Sequence, residues 1–500
     1  MTELLSIEYR PLLALFWPSA VACLILLFGS RPNVRESWIL IGITLLFLTV
    51  LSMTPVVLQQ GSITFKWFNL LPGIDFALHV DAFGLIFATT SSFLWILVSL
   101  YSIGYMRSLD EHAQTRFFFC FALALLGAIG IALSANLVTM FTFYEILTLS
   151  TYPLVAHDET PEAIHGGHKY LAYLLTGGVF FLFGILTIYY AVGTTDFAPN
   201  GILTPALNGT SRLTLQIAFF CFMLGFVKAA WMPVHAWLPT AMVAPTPVSA
   251  LLHAVAVVKA GVFGIIRIVF YLYGTELMHE LSLGITLACV ASFTIIVANL
   301  YAIGQDNLKR LLAYSTINQL SFIILGAAIL SPMAAIGAMI HIAYHGFMKI
   351  TLFLCAGAIM VVTGKKQISQ MAGVGRVMPI TLMAFTVAAF GMCSIPPLAG
   401  FISKLYFCLG TIQADQIAFL FVAITASILD LVYFFPVVRT AFFERPKDTG
   451  VKETGRPLYL FMVVPLGITG IFSVLFCLFP NMFHIFDLAQ TAVNNLFGGV

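Results

Sequence analysis

Long apolar runs alternate with short polar connections along almost the whole chain. A membrane-spanning helix needs roughly 20 consecutive apolar residues, so this pattern predicts about 14 spans. The predicted spans start near residues 11, 37, 81, 116, 136, 168, 213, 247, 280, 308, 333, 379, 416 and 457. Residues 62–80 alternate loosely and contain Pro72 and Gly73, which predicts an extramembrane hairpin or loop. The amphipathic segment beyond Pro480 is predicted to lie at the membrane interface.

The lysines and arginines in the connections test this order of spans. Nearly all of them fall in odd-numbered connections, and the even-numbered ones hold only Lys66 and Arg212. Positive residues collect on the cytoplasmic side of membrane proteins. The odd-numbered connections are therefore predicted to be cytoplasmic and both termini non-cytoplasmic, in a bacterial-type inner (plasma) membrane.

The composition agrees with an all-α polytopic membrane protein. Hydrophobic residues make up 60% of the chain, charged residues 9%, and the mean hydropathy is +1.00. A soluble domain carries about a quarter charged residues. The sequence contains no basic tract that would indicate a nucleic-acid partner. The eight cysteines are scattered singly without C-x-x-C spacing, which argues against disulfides, zinc and iron–sulfur clusters.

A few ionisable residues lie well inside the apolar runs, where they are costly and usually functional. The only carboxylates there are Glu145 and Asp430. Arg267 lies near the end of its span and is expected to snorkel towards the interface. The lysines within spans are Lys228, Lys259, Lys349 and Lys404.

Prolines interrupt the seventh and twelfth spans in the same way. The sequences FVKAAWMPVHAWLP and FGMCSIPPLAGFISKLYF each place a break beside one of these lysines, and freed backbone groups in a membrane must face protein or a hydrated cavity. Matched breaks five spans apart predict an inverted repeat of spans 4–8 and 9–13. The predicted division is 1–115 for the first three helices and the hairpin, 116–275 and 276–445 for the two half-channel repeats, and 446–500 for the last helix and the tail.

The eleventh span contains His341, His345 and Lys349 at i, i+4 and i+8, along one helix face. Histidine titrates near neutral pH, so this line favours a proton relay over packing. Zinc binding by the two histidines is disfavoured because no third ligand lies nearby in the sequence. No metal site and no cofactor are expected on this chain.

These residues provide the groups that lateral proton transfer needs. Burial disfavours the charged form of a lysine and a nearby carboxylate favours it, so a lysine whose carboxylate partner approaches and retreats is a proton switch. Arginine would stay protonated throughout. There is no P-loop and no G-x-S-x-G elbow. The predicted relay comprises Glu145, Lys228, Lys259, His345, Lys349 and Lys404.

Several stretches together resemble one family. They are YSIGYM (101–106), the FYEILTLSTY run, FVKAAWMPVHAWLPTAMVAPTPVSALLHA, LKRLLAYSTINQ (308–319), HGFMKITLFLCAG (345–357) and PPLAGFISK (396–404). The chain resembles the antiporter-like, proton-translocating subunits of complex I-type NADH:quinone oxidoreductases, Mrp-type Na⁺(K⁺)/H⁺ antiporters and membrane-bound hydrogenases. The resemblance implies a 14-helix fold with discontinuous seventh and twelfth helices. It also implies functional roles for Glu145, Lys228, His253, Lys259, His341, His345, Lys349 and Lys404.

The resemblance leaves the parent complex open. The EILTLSTY run and Lys404 look most similar to the Mrp D subunit, with membrane partners, protons and Na⁺ or K⁺ as expectations. The alternatives are a proton-pumping subunit of a quinone oxidoreductase or hydrogenase, where it would count as a translocase only within the assembly, and an inorganic-carbon uptake complex. Asp430 departs from the family pattern. It is expected to pair with a lysine of the second half, to help bind a cation, or to be simply an aspartate at a helix end near hydrated backbone. Asn307 is a second departure, with Asp306 as its expected substitute.

Overall fold

The predicted membrane architecture is confirmed. A computed structural model describes residues 6–203, 209–445 and 456–498. In these residues, eleven helices are long and apolar enough to cross a membrane. The predicted spans 5, 7 and 12 are also helical, although spans 7 and 12 are built from shorter pieces. The protein is therefore an all-α polytopic membrane protein.

The first half of the chain contains one hairpin and helices α1 to α11. The hairpin pairs β1 (Ile63–Leu71) with β2 (Ile74–Val80) in antiparallel fashion, as predicted for residues 62–80. The helices are α1 (Arg10–Leu27), α2 (Pro32–Gln60), α3 (Ala82–Ser108), α4 (Gln114–Ala132), α5 (Leu137–Val155), α6 (Pro161–Val192), α7 (Arg212–Gly225), α8 (Trp237–Thr240), α9 (Thr246–Ala250), α10 (Val257–Arg267) and α11 (Gly274–Glu280).

The second half of the chain contains helices and no strand among its described residues. Its helices are α12 (Leu283–Ile303), α13 (Leu308–Ala328), α14 (Pro332–Thr363), α15 (Val374–Val377), α16 (Pro379–Met392), α17 (Ala399–Gln413), α18 (Ile417–Phe443), α19 (Arg456–Leu478) and α20 (Ile485–Phe497).

The two interrupted spans have the predicted form. Span 7 ends its regular helix at Gly225, continues as a 3₁₀ turn over Val227–Ala229, and resumes as the short α8. Span 12 stops at Met392 and resumes at Ala399. Each break places a lysine, Lys228 or Lys404, in the protein interior. The packing of α4 on α5 recurs as the packing of α12 on α13, at the start of each predicted repeat.

The eighth span is continuous but locally widened. Residues Thr246–Glu280 form one long apolar helix in which Leu251–Val255 and Ile268–Tyr273 are π-helical. Such π-turns are rare inside helices and frequently accompany functional sites. Lys259 lies on α10 between the two π-turns, so the widened segments flank a buried lysine.

The expectation that Arg267 snorkels is wrong. Its side chain is buried, and its guanidinium donates to both carboxylate oxygens of Asp81, at 2.5 and 2.6 Å. Asp81 also caps α3 by accepting from the amide of Gly84 at 2.8 Å. A bidentate arginine–carboxylate pair is strong and directional. The pair therefore links the start of α3 to the eighth span. The Arg267 guanidinium remains buried because the Asp81 carboxylate binds it there.

The C-terminal segment has the expected amphipathic helix, and its location at the membrane interface stays a prediction. Residues beyond Pro480 form the predicted amphipathic helix α20, and its apolar face packs on α3 and α14. The buried residues of that face include Leu488, Ala492 and Leu496. Burial against two spans accounts for the apolar stripe of the helix.

Candidate proton relay

Lys228 contacts Tyr144, the chain neighbour of Glu145, and makes no hydrogen bond to the Glu145 carboxylate. The ammonium of Lys228 donates to the carbonyl oxygen of Tyr144 at 2.5 Å and lies 3.3 Å from the centre of the Tyr144 ring. Glu145 is half-buried, and its Oε1 atom lies against Gly178 without a hydrogen-bond partner. The structure thus brings the predicted pair onto adjacent elements, with the lysine held by a carbonyl and an aromatic face.

A direct contact joins the two halves of the protein. The ammonium of Lys259 on α10 lies 2.6 Å from Nδ1 of His345 on α14. Both side chains are buried. His345 Nε2 has no partner, and the ring of His341 lies 5.8 Å from that of His345 between centres. Lys259 of the first half therefore contacts the predicted line of histidines on α14.

Asp430 is the centre of the second half of the site. It is fully buried on α18, and its Oδ2 atom accepts from Lys404 at 3.2 Å and from Gln319 at 2.8 Å. Its Oδ1 atom accepts from Asn318 at 2.7 Å and from Tyr433 at 2.5 Å. Four donors surround the carboxylate, one of them a lysine, so the expected lysine partner of Asp430 is Lys404. The expectation of a cation site there stays a prediction.

Two branches of hydrogen bonds meet at Asp430. One begins at His341, whose Nε2 lies 3.1 Å from Oε1 of Gln319, while the amide nitrogen of Gln319 donates to Asp430. The other begins at Lys349, which donates to Ser315 at 2.9 Å; the hydroxyl of Ser315 is 3.0 Å from that of Tyr433. The predicted residues of α14 and α17 are thereby joined through one carboxylate.

Not every predicted residue joins this network. His253 is buried, packs on Phe353 in a tilted arrangement with 4.7 Å between ring centres, and has no hydrogen-bond partner on either nitrogen. Conversely, the sequence analysis did not predict Ser315, Gln319 and Tyr433, which bridge the residues of α14 to Asp430. The available signal was the polar run S-T-I-N-Q within the apolar span of α13, which contributes Ser315, Asn318 and Gln319.

A polar cavity of about 760 Å³ opens on one face of the protein. Its walls come from the connections after spans 3, 5, 7, 9 and 11, so these odd-numbered connections share that face as the charge distribution requires. Burial raises the pKa of the Asp158 carboxyl in this wall, and the charge of Lys309 opposes that change. The charged residues lining the cavity include Glu111, Asp158, Glu162, Lys309, Arg310 and Lys366.

A second cavity of about 320 Å³ approaches Asp430 from the connection between α12 and α13. Gln305, Asp306 and Tyr433 are among the residues that line it. Tyr433 donates directly to Asp430. Asp306 accepts from Ser369, while Asn307 itself caps α13 by accepting from the amide of Arg310 at 3.1 Å. Asparagine caps a helix about as well as aspartate, so the Asn307 departure preserves the local structure.

Comparison with known proteins places this fold in one family. Residues 134–430 match the family model described as NADH:quinone oxidoreductase/Mrp antiporter, TM, and residues 67–118 match NADH-Ubiquinone oxidoreductase (complex I), chain 5 N-terminus. The chain belongs to this family of antiporter-like membrane subunits.

Two curated relatives represent two branches of the family. NADH-quinone oxidoreductase subunit N of Desulforudis audaxviator is 32% identical over 419 residues, covering 81% of this chain and 82% of the relative. Na(+)/H(+) antiporter subunit A1 of Staphylococcus aureus is 29% identical over 515 residues and is matched by 97% of this chain. The match spans 63% of the length of subunit A1.

Solved structures share the fold over nearly the whole chain. A chain of the Mrp complex from Dietzia sp. DQ12-45-1b superposes with a TM-score of 0.86 at 20% identity, covering 98% of this chain and 97% of that one. A chain of the archaeal membrane-bound sulfane sulfur reductase superposes with a TM-score of 0.84 at 24% identity, covering 97% of each chain.

Proposed function

We propose that this chain is a proton-translocating subunit of a multisubunit monovalent cation/proton antiporter, similar in kind to the Mrp D subunit. The observation that carries the proposal is the buried contact of Lys259 with His345 at 2.6 Å, which joins the lysine set of one half to the histidine line of the other. Lysine and histidine exchange protons when burial and neighbouring charges shift their equilibria.

The proposed relay has a first, a middle and a last group. In the first group, movement of Glu145 towards Lys228 stabilises the ammonium, and its retreat releases the proton. The middle group is Lys259 with His345, and the last consists of His341 and Lys349, which lead to Asp430 and Lys404. His253 is proposed to act through water, because its two ring nitrogens lack protein partners.

Membrane partners follow from this proposal. The chain supplies a route for protons, whereas the driving ion or redox reaction is assigned to other membrane subunits of the complex. Na⁺ or K⁺ is proposed as the exchanged ion, and the cavity face as cytoplasmic because it carries the lysine- and arginine-rich connections.

The second candidate is a proton-pumping subunit of a respiratory complex. It is favoured by the 32% identity to a subunit N and by the shared fold with a chain of an archaeal respiratory membrane complex. In that assembly the same relay would be driven by electron transfer in partner subunits.

The driving reaction is tested in everted membrane vesicles that contain the complete native complex. After a respiratory substrate has acidified the vesicles and an inhibitor has stopped respiration, added Na⁺ or K⁺ is expected to release protons, as reported by a pH-sensitive dye. Vesicles from a strain lacking this chain provide the control. Proton movement that follows electron transfer alone, with no response to either cation, would contradict the antiporter assignment and support the respiratory one.

A further inference from the structure

Three potential metal ligands meet where the α3–α4 and α5–α6 connections lie side by side. Glu111 and His112 precede α4, and His157 follows α5. One ligand atom from each residue lies within 4.8 Å of the others. Glu111 and His112 are adjacent, but His157 is far from them in the sequence, so the spacing gave no sign of this cluster, which uses none of the relay residues.

His157 provides an independent indication of a ligand. It is fully buried, yet neither of its ring nitrogens makes a hydrogen bond of good geometry; the backbone of His112 lies close to the ring. An unsatisfied buried polar group costs about 1–3 kcal/mol, so native proteins usually provide it with a partner. The ring stacks on His112 at 4.8 Å between centres and meets the edge of Phe117, which leaves the Glu111 and His112 side as its polar surroundings.

We propose that Glu111, His112 and His157 bind a divalent transition-metal ion of the Zn²⁺ class. Two imidazoles and one carboxylate are a frequent ligand set for Zn²⁺ with one position left open, whereas Na⁺, Mg²⁺ and Ca²⁺ prefer oxygen ligands. His112 is half-exposed, so its ring is free to turn towards the ion. Its Nδ1 is already 4.0 Å from an oxygen of Glu111.

The surrounding charges are compatible with a bound cation. Arg116 donates to the backbone oxygen of His157 at 3.3 Å, and its guanidinium also donates to the Glu159 carboxylate at 2.5 Å, which balances its charge. Glu159 lies 3.9 Å from Nε2 of His112 and is a further carboxylate beside the cluster. A metal ion bound here cross-links the α3–α4 and α5–α6 connections. The site lies beside the large cavity, which Glu111 also lines.

Zinc binding is tested on the purified complete complex after treatment with a chelator and equilibration with Zn²⁺ alone. The expected result is one zinc ion fewer per complex in His157→Gln and Glu111→Gln than in the wild type, with at least about tenfold weaker binding. His165→Gln is the matched control, because His165 is an exposed histidine in the wall of the same cavity and outside the cluster. Visible absorption of Co²⁺ bound in place of zinc reports the loss of a histidine ligand.

Equal zinc content in the wild type and in the assembled Glu111→Gln variant would overturn the proposal, even where His157→Gln fails to fold. An equal loss in His165→Gln would also overturn it, because binding would then be a property of the cavity surface. A second measurement rests on the proposed function: Zn²⁺ is expected to inhibit proton transport in the wild type and not in His157→Gln. Failure of transport in every sample would count against the proposed function, while the binding result would still decide the metal site.

Discussion

Replacing Lys228 with alanine is expected to reduce proton-coupled transport about a hundredfold, the typical contribution of one positioned acid–base group. Lys228 is fully buried and is held by the carbonyl and ring of Tyr144, and it is the proposed proton carrier beside Glu145. Transport is measured as dye-reported proton flux in everted vesicles containing equal amounts of assembled complex.

Lys228→Arg separates a proton switch from a fixed positive charge. Arginine retains the charge but does not release a proton at accessible pH, so this variant is also expected to lose transport. Lys66→Ala is the control, since Lys66 is exposed on the hairpin and pairs with Asp75 across it. Wild-type flux in Lys228→Arg would show that the position needs charge alone and would remove Lys228 from the relay.

Asp430→Asn is expected to lower transport at least about tenfold and to reduce the stability of the assembled complex. The substitution preserves shape but leaves the Lys404 ammonium inside the protein without its carboxylate. Removing one partner of a buried ion pair costs about 3–5 kcal/mol. It also disrupts both hydrogen-bond branches, because the Gln319 and Tyr433 donors converge on the same carboxylate.

The double variant Asp430→Asn with Lys404→Met distinguishes stability from transport. Removing both charges is expected to restore much of the lost stability, because the uncompensated charge is gone, while transport stays low. Stability is followed as the apparent melting temperature of the detergent-purified complex. Recovery of transport in the double variant would mean that the pair serves packing alone.

The sequence predicted the scaffold well because its signals are local. Apolar runs, the asymmetry of basic connections and the prolines of spans 7 and 12 are each visible within a short window. The same holds for the line of His341, His345 and Lys349, which one helix places on one face. Most of the candidate site residues were predicted in this way because an ionisable group inside an apolar run is conspicuous.

The hydrogen bonds that link these residues could not be predicted because they depend on packing between helices distant in the sequence. Ser315, Gln319 and Tyr433 are ordinary polar residues, and only the approach of α13 to α18 makes them bridges. The burial of Arg267 was missed for the same reason, since its partner Asp81 lies at the start of α3. In both cases the partner supplied by another helix determines the role of the residue.

The most direct test of the relay is the proton flux of His345→Gln, because His345 contacts Lys259 at the junction of the two halves. Glutamine keeps a polar side chain there but does not titrate. The measurement compares dye-reported, cation-dependent flux in vesicles with equal complex content, using His168→Gln on the exposed face of α6 as the control. The account predicts a loss of at least about tenfold in His345→Gln and none in His168→Gln. Undiminished flux in His345→Gln would contradict it.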